Sequence, residues 1–230
     1  MKNYYVGETG KRYFQGRAYG RTDEVQQKAA RIFLPHVSPS DTVLDFGCGT
    51  GGILSAIPCS RRIGVEINEA SVHAAREKGI EVFCDLSEVP DCVADVVISH
   101  HALEHVLDPL GVLEALRYKL KPEGRIVIVV PVEEPRAAWG RTWHEEQNKH
   151  LFCWTALTLG NLLRAAGYDV EEAFVFERNF EQYVQRIRNR PFPVRMLRWL
   201  TARLFPRLHT VAVGRVRSSG GNLRDELETE

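Results

Sequence analysis

Thr42-Val43-Leu44-Asp45-Phe46-Gly47-Cys48-Gly49-Thr50-Gly51-Gly52 is the stretch whose reading decides the fold. An apolar run with β character ends on an acid and turns through closely spaced glycines. A helix-compatible segment, Ile53 to Ile57, follows. Glycine lets the backbone bend tightly, and lets a ligand approach where a Cβ would otherwise stand. The N-terminus of a following helix presents free N–H groups. Nineteen residues after Gly47, a second short run, Ile63-Gly64-Val65, ends in Glu66. A carboxylate at the end of a second strand is placed to hold the two hydroxyls of a ribose. The pattern predicts a nucleoside-containing cofactor at the C-terminal edge of a parallel sheet.

Gly47, Gly49 and Gly52 also satisfy G-x-G-x-x-G, so glycine spacing alone does not choose the cofactor. Asp45 helps. A carboxylate beside the loop repels a pyrophosphate and suits a cationic ammonium. That favours S-adenosylmethionine, which carries an ammonium and a sulfonium and no phosphate, over a nicotinamide dinucleotide.

The segment Val43 to Gly51 resembles the first motif of class I S-adenosylmethionine-dependent methyltransferases. Further stretches agree in order and spacing. Gly64-Val65-Glu66-Ile67-Asn68 resembles the ribose-binding second strand, and Cys84-Asp85-Leu86 the turn that reads adenine. The run Asp95 to Val106 resembles the fourth strand with the loop that closes the active site. Leu120-Lys121-Pro122-Glu123-Gly124-Arg125 resembles the Leu-Lys-Pro-Gly-Gly turn before the fifth strand, with Glu123 in place of the first glycine. The resemblance runs from about Thr42 to Val216 and is nearest to the subgroup of ubiquinone-biosynthesis and small-molecule O-methyltransferases. It implies an α/β fold: a doubly wound, mostly parallel seven-stranded sheet with an antiparallel edge hairpin. It also implies cofactor contacts from Asp45, Gly47, Cys48, Gly49 and Gly51 on the loop. Glu66 and Ile67 would serve at the ribose, Asp85 and Leu86 at the adenine, and Ser99 and His100 at the end of strand four.

Strands are expected at Thr42–Phe46, Arg62–Glu66, Glu81–Cys84, Ala94–Ser99, Arg125–Val130, Tyr168–Phe176 and His209–Val216. Between them come helices from Thr22 or Asp23 to about His36, from Asn68 to Lys78, from Pro109 to Leu120 and from Thr155 to Ala166. Ala94 to Ser99 is continuously apolar, as a parallel strand covered on both faces requires. Strands alternating with helices imply right-handed βαβ units. The domain reading is an N-terminal lid and helix at 1–40, a methyltransferase domain at 41–217 and a disordered acidic tail at 218–230. The lid would use Tyr4, Tyr5, Tyr13, Phe14, Arg17 and Tyr19. An insert at 177–208 carries eight arginines against Glu177 and Glu181. It reads as a lid over the acceptor pocket, as a membrane-surface helix for a lipid-linked acceptor, or as a binder of anionic substrates.

The 230 residues carry 30 basic and 30 acidic side chains, so no global charge draws the chain to nucleic acid or anionic lipid. The five cysteines are scattered, without a Cys-x-x-Cys pair, which reads as free thiols in a reducing, cytoplasmic setting. No secretory apolar segment opens the chain, and no run approaches the roughly 20 apolar residues of a membrane span.

Methyl transfer is an in-line displacement at an already activated carbon, so alignment and water exclusion carry most of it. A hydroxyl acceptor also needs a base. His101, Glu104, His105 and His150 are the acceptor-side candidates, with His100 beside them and His144 on a long loop. His101-Ala102-Leu103-Glu104-His105 and His150-Leu151-Phe152-Cys153-Trp154-Thr155 also resemble the metal-binding motifs of small-RNA 2'-O-methyltransferases, with His101 in place of the first acid. In that reading the nitrogen-rich set favours zinc, manganese or iron over magnesium; otherwise His150 orients a loop or acceptor without metal. The leading function is methyl transfer to a hydroxyl of a small-molecule, sugar or lipid-linked acceptor. The alternatives are metal-assisted RNA 2'-O-methylation, an NAD-dependent oxidoreductase, and a non-catalytic S-adenosylmethionine-binding module.

Overall fold

The structure, a computed structural model, describes residues 5–16, 23–132, 149–177, 193, 196 and 208–217. Its strands are β1 (Thr42–Phe46), β2 (Arg61–Val65), β3 (Glu81–Phe83), β4 (Ala94–His100), β5 (Leu120–Pro131), β6 (Tyr168–Glu177) and β7 (Leu208–Val216). They form one sheet in the order β3-β2-β1-β4-β5-β7-β6. The first five run parallel, while β7 is antiparallel to both β5 and β6. This is the expected doubly wound sheet with its antiparallel edge.

Alternation along the central strands builds the two faces. Val97, Ile126 and Ile128 join Leu113, Leu116, Leu159 and Leu163 on one side. Val96, Ile98, Val127 and Val129 join Phe33, Leu54, Ile57 and Val72 on the other. Successive strand residues point to opposite faces, so an unbroken apolar run feeds both cores. The helices over these faces are α2 (Asp23–Ala30), α3 (Gly52–Ser55), α4 (Glu69–Arg76), α5 (Pro109–Lys119) and α6 (Ala156–Ala165), preceded by α1 (Gly7–Gly16). Asp108 caps α5 through Gly111 N–H, and Thr155 with Thr158 forms a reciprocal capping box on α6.

Several boundaries differ from the sequence reading. The helix expected to reach His36 ends at Ala30 and gives way to a 3-10 turn, Leu34–His36, because Pro35 sits in its first turn. The glycine-rich 1–20 region holds α1, which has no clean apolar stripe in its sequence. The helix after the glycine loop spans only four residues, Gly52–Ser55, so a long helix dipole does not face the cofactor edge. β5 begins at Leu120, with an irregularity between its pairings to Ala94 and Val96. Glu123, standing where the resembled turn has glycine, adopts φ +62°. Residues 178–192 and 218–230 lie outside the described residues, as does most of 193–207. The arginine-rich insert and the acidic tail therefore stay sequence expectations, as do Tyr4, Arg17, Tyr19 and His144. No helix among the described residues is long and apolar enough to cross a membrane.

Candidate active site

Strand order reverses between β1 and β4: the chain winds outward through β2 and β3, then returns to place β4 on the other side of β1. Ligands of open α/β sheets bind at the carboxyl ends of the strands flanking such a switch. The loop after β1, the acid after β2 and the loop after β4 all emerge there.

The glycine loop is pinned to β2. The N–H groups of Gly47 and Cys48 both donate to the Val65 carbonyl, at 2.9 and 3.1 Å, and Gly51 N–H donates to the Cys48 carbonyl at 2.9 Å. Gly47 has φ +77°, and a Cβ there would stand 2.4 Å from the Ala102 Cβ. The loops after β1 and β4 therefore touch at a point where only glycine fits. Gly49 has φ +54°, and a Cβ there would meet nothing within 4 Å, so the loop is open at this point. Glu66 braces the loop: its carboxylate accepts Gly49 N–H at 2.9 Å and Asn68 N–H at 2.8 Å. A carboxylate offers about four acceptor positions in all.

Asp45 is 2% exposed, and its Oδ1 has no hydrogen-bond partner among the described residues. Burial, with the neighbouring Glu66 charge adding to it, pushes its carboxyl up to about 8. The side chain expected to face an ammonium is thus held well above the usual carboxylate range. Cys48 has another part. Its buried side chain packs over Gly64, where a Cβ would lie 2.6 Å from the Cys48 Sγ, and burial pushes the thiol well above its ordinary range. Ile67 is 40% exposed beside Glu66. Asp85 caps the Leu86–Glu88 turn, accepting from the backbone and hydroxyl of Ser87, which hold its carboxyl below the ordinary range. Leu86 packs against the core from the same turn. The buried Ser99 hydroxyl donates to the Phe46 carbonyl at 3.0 Å and so ties β4 to β1. His100 lies beside His101, with ring centroids 4.4 Å apart, and meets the edge of Phe33.

The four acceptor-side candidates converge. Glu104 is fully buried in the short 3-10 turn Leu103–His105, and neither of its oxygens has a hydrogen bond among the described residues. Three imidazoles surround its Oε1: His101 Nδ1 at 3.2 Å, His105 Nε2 at 3.8 Å and His150 Nε2 at 4.0 Å. The first distance is within hydrogen-bonding range, yet no hydrogen bond reaches either Glu104 oxygen among the described residues, so proximity without a bond describes all three. His150 reaches the group because Leu151 N–H donates to the Glu104 carbonyl at 2.8 Å. Burial lowers the His105 pKa, against the raising effect of Glu104, so the neutral ring is favoured at physiological pH.

Structural partners absent from the sequence candidates complete the site. His209, 4% exposed on β7, places Nδ1 2.9 Å from His101 Nε2. Tyr5, expected only as one of several lid residues, puts its hydroxyl 2.8 Å from His105 Nδ1. Its backbone carbonyl, with that of Gly10, accepts from the Asn68 amide at 2.9 and 3.0 Å. The N-terminal segment therefore spans from the cofactor edge to the histidine cluster. Gln26 of α2 donates to the Thr50 hydroxyl at 3.1 Å and covers the back of the loop at Gly52. No motif marks Gln26 or His209; only strand pairing and helix packing bring them in.

A family model described as a methyltransferase domain matches residues 17–173. The ubiquinone biosynthesis O-methyltransferase of Aeromonas salmonicida is 32% identical over 131 residues, covering 51% of this chain and 52% of that protein. The chain thus spans about half the length of the curated relatives it matches. Among solved structures, Burkholderia thailandensis 1,6-didemethyltoxoflavin-N1-methyltransferase, with bound 1,6-didemethyltoxoflavin and S-adenosylhomocysteine, aligns with a TM-score of 0.64 at 19% identity. That alignment covers 91% of this chain and 85% of that one. An S-adenosylmethionine-dependent methyltransferase from Mesorhizobium loti aligns with a TM-score of 0.57 at 22% identity, over 85% and 98% of the two chains. These likenesses at low identity report the fold, and the family match covers well over half of the chain. The chain belongs to the methyltransferase domain family, in its class I, S-adenosylmethionine-dependent form.

Proposed function

We propose that the protein uses S-adenosylmethionine to methylate a hydroxyl of a small-molecule acceptor, at the crevice between the loops after β1 and β4. The observation that carries this reading is the open glycine loop at Gly49, with Glu66 braced beside it and the buried Asp45, whose Oδ1 has no hydrogen-bond partner among the described residues. The chemistry of this set fits the cofactor: Asp45 is an anion-in-waiting for the ammonium, Glu66 supplies acceptors for the ribose hydroxyls, and Ile67 and Leu86 offer apolar cover for the base. When bound, the cofactor supplies an electrophilic methyl group on a sulfonium. The chain's own residues hold that methyl in line with the acceptor and exclude water. His101, Glu104, His105 and His150 line the acceptor side, where imidazole nitrogens are available to take the hydroxyl proton. The similarity to ubiquinone biosynthesis O-methyltransferases supports an oxygen acceptor. The two carboxylates flanking the loop, Asp45 and Glu66, would repel a pyrophosphate and so support this cofactor over NAD.

Calorimetry tests the cofactor half. S-adenosylhomocysteine should bind with 1:1 stoichiometry while NAD gives no heat. Transfer of a labelled methyl from S-adenosylmethionine to a panel of phenols and catechols tests the acceptor half. Binding of NAD in preference to the nucleoside thioether would overturn the assignment.

A further inference from the structure

His209 is a buried imidazole, 4% exposed near the start of β7, where it pairs with Pro131 of β5 and Phe176 of β6. Val96 and Ile98 of β4 share one face of the sheet with Val211 and Val213 of β7. Strand alternation carries that face on to His100 and His209, and it would send His101 to the other. His101 escapes the alternation through φ +57°, a conformation that non-glycine residues rarely adopt. Its backbone N–H still donates to the Val129 carbonyl at 2.9 Å. Its ring is turned back against both neighbours, with centroids 4.4 Å from His100 and 4.7 Å from His209. An unfavourable backbone conformation held at the ligand edge of a sheet points to function.

The turned ring makes one specific contact. His101 Nε2 and His209 Nδ1 stand 2.9 Å apart. A neutral imidazole has one N–H and one lone pair, while a protonated one has two N–H groups. The contact therefore holds one proton, donated by one ring and accepted by the other. His101 Nδ1 lies 3.2 Å from Glu104 Oε1, yet no hydrogen bond reaches that oxygen among the described residues. The His101 proton is thus placed by His209 and not by Glu104. His101 is also the member of the pair that solvent reaches, with 29% of its side chain exposed. His209 is closed in by the Phe176 ring at 5.3 Å and the His100 ring at 6.0 Å, centroid to centroid.

We propose that His209 is the positioning residue of the acceptor-side base His101: it accepts the Nε2 proton of that ring and so keeps the lone pair on Nδ1, the nitrogen that removes the acceptor's hydroxyl proton. This rests on methyl transfer to a hydroxyl being the reaction. The opposite direction, with His209 donating, would spend the His101 lone pair inside the pair and leave no base. As the O–H bond breaks, the proton passes to Nδ1 and the oxygen keeps the electron pair that bonds the methyl carbon. The methyl–sulfur pair stays with the departing thioether. The imidazolium so formed has N–H groups at both nitrogens, Nε2–H on His209 and Nδ1–H beside Glu104 Oε1. A ring without this anchor presents its lone pair at either nitrogen, and only one of the two serves the acceptor.

The test uses the full chain with isotope-labelled histidine at mildly alkaline pH, where ordinary imidazoles are neutral. Long-range proton–nitrogen spectra, assigned by single histidine substitutions, should show His101 protonated at Nε2 and His209 with its lone pair at Nδ1. A scalar coupling should cross the shared proton. His209→Phe keeps a ring in the buried space without an acceptor, and His101 should then populate both tautomers. His209→Asn sets an amide oxygen near the lost Nδ1 and should return His101 to one tautomer. Transfer of a labelled methyl from S-adenosylmethionine to catechol should fall by roughly tenfold or more in kcat for His209→Phe, with the catechol KM within about threefold, and recover in His209→Asn. Unchanged S-adenosylhomocysteine affinity shows that each variant is folded. If His209→Phe does not fold, the wild-type spectrum and His209→Asn decide. A His101 ring protonated at Nδ1 in the wild type would overturn the proposal, as would an equal loss of kcat in His209→Phe and His209→Asn. Should catechol and the other phenols go unmethylated while the paired tautomers are seen, the hydroxyl-acceptor reading fails and the pairing stands.

Discussion

Asp45→Asn isolates the buried acid under the glycine loop. The Asp45 carboxyl is held at about 8 against an ordinary value of 3.8, first by burial and second by the Glu66 charge. A raised carboxylate binds its proton in the folded state at pH values where the unfolded chain has already lost it. Its contribution to stability is therefore complete below about pH 4, falls as pH rises, and levels off above about 8. The slope inside that window approaches about 1.4 kcal/mol per pH unit, the free-energy equivalent of one titrating proton. Asparagine has no such term. Urea unfolding of both proteins at each pH from 5 to 9 cancels, in the difference, the titrating groups that do not interact with Asp45. The asparagine variant should gain on the wild type by about 1 kcal/mol per pH unit from 5 to 8, and the difference should then stop growing. With saturating S-adenosylhomocysteine the wild type should recover much of this loss, because the ligand's ammonium favours the charged carboxylate. At pH 7 the wild type should release close to one proton on binding, measured by calorimetry in buffers of different ionisation enthalpy, and the variant none. A stability difference that does not change with pH would refute the reasoning, and with it the claim that burial holds the Asp45 carboxyl protonated.

Glu66→Ala should weaken S-adenosylhomocysteine by about 1.5–3 kcal/mol in calorimetry, because it removes charged acceptors for the ribose and the brace on Gly49. Gly47→Ala meets both a left-handed backbone and the Ala102 Cβ; thermal unfolding should show a loss of at least about 1–2 kcal/mol, accompanied by loss of nucleoside binding. Glu123→Gly relieves φ +62° in the turn before the paired part of β5 and should raise stability by about 0.5–1 kcal/mol in urea, with binding unchanged.

The cofactor edge was readable because its requirements are local. A strand, a loop that must be glycine and an acid after the next strand follow one another within 25 residues, from Thr42 to Glu66. The apolar runs at Ala94 to Ser99 and Arg125 to Val130 carried the parallel order, since strands covered on both faces need no alternation. The acceptor side was readable only as a list of residue types. That Glu104 is the buried hub, with His101, His105 and His150 around it, depends on the left-handed bend at His101 and on one backbone hydrogen bond from Leu151. His209 became part of the site through the antiparallel pairing of β7 with β5, which opposes it to Pro131 and leaves no sequence mark. The Cys48 side chain fills the space that Gly64 leaves, a reciprocity visible only in three dimensions.

Asn68 does two jobs with one amide. Its oxygen accepts Ser71 N–H at the start of α4, and its nitrogen grips the carbonyls of Tyr5 and Gly10. The same tether leads on, through the Tyr5 phenol, to His105. Any tag or fusion partner joined ahead of Tyr5 would consequently pull on a residue anchored at both Asn68 and His105. Kinetic comparisons between differently tagged preparations would then measure the tag as much as the enzyme.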